Sequence, residues 1–239
     1  MTRSMAVLNN VTKLAEVCSA VVDRKPGSPG FGLFSGLAGY GKSVAANYCA
    51  NKFDGYYVEC DSTMTQKDFI EATMVELGLI SRGKSYNKRL HQGVIEIGEF
   101  LADHPRKPWF IDEADFLVER KKIELVRDIY KKCADAGTSI ILIGEQNLPH
   151  SLRKWERVYS RILKKDKAEA LSLKDIGALS ELICPNLEFS NTAIEAISKR
   201  IHGSARRAVN LFNEIEEHAV ISGWDLIEDK QINSIESED

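Results

Sequence analysis

A chain of 239 residues, 44% hydrophobic and 28% charged, has an ordinary globular composition and can bury the core of one large domain, with or without a small appendage. That mix excludes a fibrous or disordered chain, and a net charge of −3 gives no global basicity to draw in nucleic acid, although a local patch can hold phosphates on a nearly neutral surface. There is no membrane-length apolar run, no signal-peptide core and no CxxC pair among Cys18, Cys49, Cys60, Cys133 and Cys184, so a reduced, cytoplasmic protein without disulfides or zinc is expected.

In chain order, Val7, Leu8, Val11, Leu14, Cys18, Val21 and Val22 fall on one helical stripe and predict an amphipathic helix. The stretch RKPGSPG (24–30) then breaks the chain with two prolines and two glycines. An apolar run at 31–35 is the first of five expected strands; the others are 56–60, 108–112, 138–144 and 169–173. Helical segments are expected at 66–78, 87–104 and 120–137. Strands alternating with helices imply an α/β fold with a mainly parallel five-stranded sheet covered on both faces. From about residue 174 onward the segments are helix-like, with no strand-like run, and Ser190 and Ser204 are placed as N-caps. The expected organisation is an N-terminal helix and linker (1–30), an α/β nucleotide-binding core (31–173) and a small helical subdomain with a frayed tail (174–239).

The first motif is GLAGYGKS, from Gly36 through Leu37, Ala38, Gly39, Tyr40 and Gly41 to Lys42 and Ser43. It satisfies the spacing of a phosphate-binding loop, the Walker A pattern. Glycines let the backbone curl until its N–H groups converge on an anion. Lys42 then reaches the β- and γ-phosphates of ATP, and the Ser43 hydroxyl coordinates Mg²⁺. The helix that follows, beginning at Ser43-Val44, points its positive end at the same phosphates.

The second motif is WFIDEAD (109–115), an apolar strand ending in acids, in the manner of a Walker B segment. Asp112 is expected to hold Mg²⁺ through water, and Glu113 to polarise an attacking water. A phosphotransferase, which hands its phosphoryl group to a bound acceptor, has no need of such a base.

Taken together, these segments resemble an AAA+ ATPase over nearly the whole chain. The resemblance implies roles for further residues. Glu145 and Gln146, at the end of the 138–144 strand, fall where the family has its first sensor, a polar group that positions the lytic water. RVYSRI (157–162) resembles the segment carrying the arginine finger, with Arg161 the first choice and Arg157 the second. HGSARRAVNLF (202–212) resembles the second sensor, with Arg206 touching the γ-phosphate. A guanidinium keeps its charge and stabilises charge developing on the transferred phosphoryl group. The loop departs from the family pattern by lacking prolines and ending in Lys-Ser. Glu145 departs further, since a carboxylate there repels the γ-phosphate and implies slow, regulatory hydrolysis unless Gln146 takes the role.

Residues 31–80 are similar to the ATP-binding transposition proteins of Mu-like phages and bacterial transposons. That resemblance implies a factor that self-associates into a ring or helical filament on double-stranded DNA with ATP and activates or directs a transposase. DNA contacts are expected from the two loops after the second strand, at Thr63, Thr65, Lys67, Arg82, Lys84, Lys88 and Arg89, with Tyr86 packing against sugar. The competing readings are a helicase-loader-like or secretion-linked ATPase, a hydrolysis-poor ATP-binding scaffold, and a small-molecule phosphotransferase.

Overall fold

The computed structural model describes residues 8–235. Val7, the first residue of the predicted stripe, and the acidic end of the tail lie outside them. The described chain forms two compact units. One comprises Lys13–Gly36 and Lys42–Lys167; the other comprises Leu37–Gly41 with the described parts of Met1–Thr12 and Ala168–Asp239.

The larger unit is built on five strands: β1 (Phe31–Gly36), β2 (Tyr56–Glu59), β3 (Trp109–Asp112), β4 (Ile140–Glu145) and β5 (Ile162–Lys167). They lie in the order β2-β3-β4-β1-β5, and every pairing is parallel. Helices α1 (Asn9–Val22, shared between the units), α2 (Lys42–Lys52), α3 (Gln66–Glu76), α4 (Leu90–Asp103), α5 (Asp115–Glu119), α6 (Ile123–Cys133), α7 (Leu148–Leu152) and α8 (Glu156–Tyr159) connect them. All of β1 and β3 and all but the last residue of β4 are buried, because helices cover both faces of a parallel sheet. Their sequences are therefore continuous apolar runs, which is why they were legible. Phe31, Phe69, Trp109, Ile111, Ile140 and Leu142 are among the residues of the core so formed. All five cysteines are buried and free, as small core residues.

The fifth strand corrects the sequence expectation. It runs over Ile162–Lys167, not 169–173, and most of it is exposed at the sheet edge. An edge strand carries charge instead of an apolar run, so ILKKDK gave no signal. Residues 169–173 belong to the other unit: Leu171 packs in that unit's core, and Ser172 caps the next helix through a reciprocal capping box with Asp175.

That smaller unit holds α9 (Leu173–Ile183), α10 (Asn191–Ile201), α11 (Ala205–Ser222) and α12 (Asp229–Ser234). Its core includes Ile176, Ile197, Phe212 and Ile215. The Ser190 and Ser204 hydroxyls accept from the backbone N–H groups of Ala193 and Arg207, so both are N-caps as expected. A two-stranded parallel pair, β6 (Glu188–Phe189) with β7 (Leu226–Ile227), interrupts the helices. This corrects the expectation of an all-helical segment; two residues per strand are too few to leave a periodic signature.

Candidate nucleotide site

β1 ends at Gly36, and the chain passes through residues 37–41 to Lys42, the first residue of α2. Gly39 and Gly41 have φ of +80° and +81°, a left-handed curl that glycine adopts without a Cβ penalty. The Lys42 side chain is 5% exposed, and its Nζ donates to the Gly36 carbonyl at 2.9 Å and to Glu145 Oε1 at 2.8 Å. A buried ammonium needs an anion beside it, so this position is built to hold negative charge. Ser43 follows, half-buried, and Val44 is exposed.

One strand-width beyond β4, β3 delivers the acids. Asp112 is fully buried; its Oδ1 accepts the Glu113 N–H at 2.9 Å and its Oδ2 accepts the Tyr57 hydroxyl at 2.8 Å. Glu113 sits at φ +52°, a conformation that non-glycine residues rarely adopt and that often marks functional positions. Burial, then the Asp112 charge, raises the Glu113 carboxyl above its ordinary pKa; Lys42 opposes this, and Glu145 and Asp115 add to it. Burial also raises the carboxyl of Asp115, and burial with the Asp112 charge raises the Tyr57 phenol.

Glu145 pairs in register with Gly36, which sets its side chain beside the Lys42 loop. The Asp115 carboxylate accepts the Glu145 N–H at 2.7 Å. Gln146 is exposed in the turn that follows. Lys42, Asp112, Glu113, Asp115 and Glu145 thus gather at the carboxyl ends of β1, β3 and β4, where open parallel sheets place ligands. Tyr57 and Asp115 were not singled out from sequence. Asp115 stood within the acidic run that was read, whereas a half-buried tyrosine on a strand carries no pattern of its own.

The arginines lie elsewhere. Arg161 is half-buried, and its carbonyl accepts the N–H of Phe31, the first residue of β1. It therefore sits at the amino end of β1, and a six-residue strand separates it from the Lys42 end by roughly 17–20 Å. There it lines an open cleft of about 700 Å³ together with Arg24, Lys25 and Arg106. Arg24 is committed to structure, donating to the Val21, Ser28 and Thr138 carbonyls and the Ser139 hydroxyl. Arg157, in α8, is exposed, and its carbonyl accepts from the Arg161 guanidinium. Within the smaller unit, the backbone N–H of Arg206 donates to the Gly39 carbonyl at 3.2 Å and the side chain is exposed.

Of the expected DNA contacts, Thr65, Lys67 and Lys88 line an open groove of about 500 Å³ with Arg120 and Lys122. Thr63, Arg82, Lys84 and Arg89 are exposed but do not line it. Thr65 caps α3, Lys67 pairs with Glu71 and Lys88 with Glu96. Tyr86 also lines this groove, but it is 4% exposed and packs in the core, so little of it is offered to a sugar. Its apolar ring is more stabilising packed there than in water.

A parallel sheet with a phosphate-type loop after β1 and an acidic end on β3 defines the class of P-loop nucleotide-binding proteins. The AAA domain family model matches residues 24–152, more than half of the chain, and the chain belongs to that family. Its fold is that of AAA+ ATPases. The Aeropyrum pernix ORC2 protein in its ADP form superposes with a TM-score of 0.73 at 14% identity, covering 98% of this chain and 69% of that one. The Aeropyrum pernix ORC1 protein in complex with DNA gives 0.68 at 17% identity, covering 94% and 63%. The Thermotoga maritima RuvB Holliday junction branch migration motor gives 0.61 at 18% identity, covering 94% and 67%. The chain thus spans about two thirds of the length of these proteins, and the likeness is one of fold. No curated protein matches the chain by sequence. Among the described residues, no helix is long and apolar enough to cross a membrane, and no cluster of His, Cys, Asp and Glu is arranged to hold a metal by itself.

Proposed function

We propose that the chain is an ATP-dependent, sequence-nonspecific DNA-binding ATPase that assembles head to tail on duplex DNA and activates or directs a transposase. The residues present fit a nucleotide with Mg²⁺: the buried Lys42 ammonium already holds an anion, and the Ser43 hydroxyl and Asp112 carboxylate are hard oxygen donors of the kind Mg²⁺ takes alongside phosphate oxygens and water. Bound Mg²⁺ would offset charge developing on the phosphoryl oxygens. Lys42 neutralises the phosphates and orients them. Glu113, with its raised pKa, takes the proton of the attacking water, and Asp112 keeps its place through Tyr57 and the Glu113 N–H. Arg206 engages the γ-phosphate.

The observation that carries the assembly is the position of Arg161. At the opposite end of β1 from Lys42, it serves the site of a neighbouring copy, with Arg157 as the second candidate. The basic cleft around it, with Lys25 and Arg106, complements the acid-rich end that holds Asp112, Glu113, Asp115 and Glu145. DNA is assigned to the groove of Lys67, Lys88, Arg120 and Lys122, since clustered cations hold phosphates without reading bases. Support for DNA also comes from the fold shared with the ORC1 protein in complex with DNA and the RuvB branch migration motor. The transposase rests on the resemblance of residues 31–80.

Two variants test the division of labour. Lys42→Ala abolishes nucleotide-dependent assembly. Glu113→Gln keeps nucleotide binding, loses turnover by about 10²-fold or more, and holds the DNA-bound form. Wild-type turnover and DNA release in Glu113→Gln would remove the residue from its assigned role.

A further inference from the structure

We propose that Glu145 sets nucleotide preference, by competing with the γ-phosphate for Lys42 and so disfavouring ATP relative to ADP. The inference rests on the reading of Gly36–Ser43 as a phosphate cradle. The Lys42 ammonium is 5% exposed and the Glu145 carboxylate 42% exposed, so the lysine has given up most of its water and is held in part by this carboxylate at 2.8 Å and by the Gly36 carbonyl at 2.9 Å.

The position of the carboxylate is enforced by its surroundings. Glu145 is held opposite Gly36 by the strand register, and its N–H is held by Asp115 Oδ2 at 2.7 Å. A Cβ on the preceding Gly144 would lie 2.0 Å from that same oxygen, so glycine is needed there for the Asp115 carboxylate to reach the strand. Asp115 is a positioning residue for Glu145.

A γ-phosphate must take Lys42 from this carboxylate and then remain close to it. Asp112, Glu113 and Asp115 already crowd the carboxyl ends of β1, β3 and β4 with negative charge, and Arg206 is assigned to the γ-phosphate itself, so the displaced Glu145 finds no cation to replace Lys42. Lys42 reaches the β-phosphate too, but there the loop's backbone N–H groups share the charge, so losing the lysine to Glu145 costs ADP less than ATP. The penalty therefore falls mainly on ATP. It is relieved where an extra cation reaches the γ-phosphate, as an arginine from an assembled neighbour does.

The test measures dissociation constants of the full chain for MgADP and for a slowly hydrolysed ATP analogue with Mg²⁺, in wild type, Glu145→Gln and Glu145→Asn, each checked for an intact melting transition. Expected is about 10-fold tighter binding of the analogue in both variants and less than about 3-fold change for ADP, so that the preference shifts towards ATP. A merely structural role for Glu145 would move both nucleotides together. If wild type and variants bind both nucleotides with the same ratio, the competition is refuted while the cradle stands. If none of the three proteins binds either nucleotide, the cradle reading fails and the competition fails with it.

Discussion

At the scale of single residues, the site is an unbalanced set of charges: four carboxylates around one lysine. Glu113 shows the cost. Its pKa is raised, chiefly by burial and then by Asp112, so folding disfavours its ionisation. For a carboxylate shifted in this direction, the ionised form is a liability: stability falls as pH rises from the ordinary carboxylate value through the raised one. Glu113→Gln removes that liability. The variant should melt roughly 1–3 °C above wild type at pH 7 without nucleotide, a modest gain because the side chain is only partly buried. The gain should vanish near pH 4, where wild-type Glu113 is protonated. Calorimetric melts at the two pH values check this, and a variant that melts lower at pH 7 would contradict it. Lys42, Asp112 and Glu113 were legible because a phosphate loop and an acidic strand end are local patterns. The pairing of Lys42 with Glu145 was not, since it joins residues 103 apart through strand register.

At the scale of elements, what the sequence revealed tracks burial. The runs that form β1, β3 and β4 were read because both faces are covered, and β5 was missed because its edge position allows Leu163, Lys164 and Lys165 to face water. The spacing between helices was also hidden. Gly98, inside α4, has no local reason to be glycine, and helix propensity alone favours alanine by about 1 kcal/mol. A Cβ there would meet Lys132 Cβ of α6 at 2.3 Å and the Ile129 carbonyl oxygen at 3.2 Å. Neither atom is a flexible tip, so α4 and α6 must move apart. Gly98→Ala should therefore lower stability by about 1–3 kcal/mol in urea unfolding despite its better propensity. An unchanged or raised midpoint would show that the helices separate at no cost.

At the scale of the whole molecule, the proposed function couples nucleotide to DNA through assembly. Lys42 and the four carboxylates lie at one end of the sheet, Arg161 lines a basic cleft at the amino end of β1, and Lys67, Lys88, Arg120 and Lys122 line a separate groove; the proposed function gives these the nucleotide, the neighbouring site and DNA. Net charge of −3 gives no sign of these groups; motifs and loop positions point to Lys42, Arg161, Lys67 and Lys88, whereas Arg120 and Lys122 join the groove only through the fold. The most direct test is the size and affinity of the chain on a nonspecific DNA duplex without nucleotide, with ADP and with a slowly hydrolysed ATP analogue. The account predicts cooperative, salt-sensitive assembly with the analogue alone, lost in Arg161→Ala even though that variant still binds nucleotide. Tight nucleotide binding with no change in size or DNA affinity would contradict it.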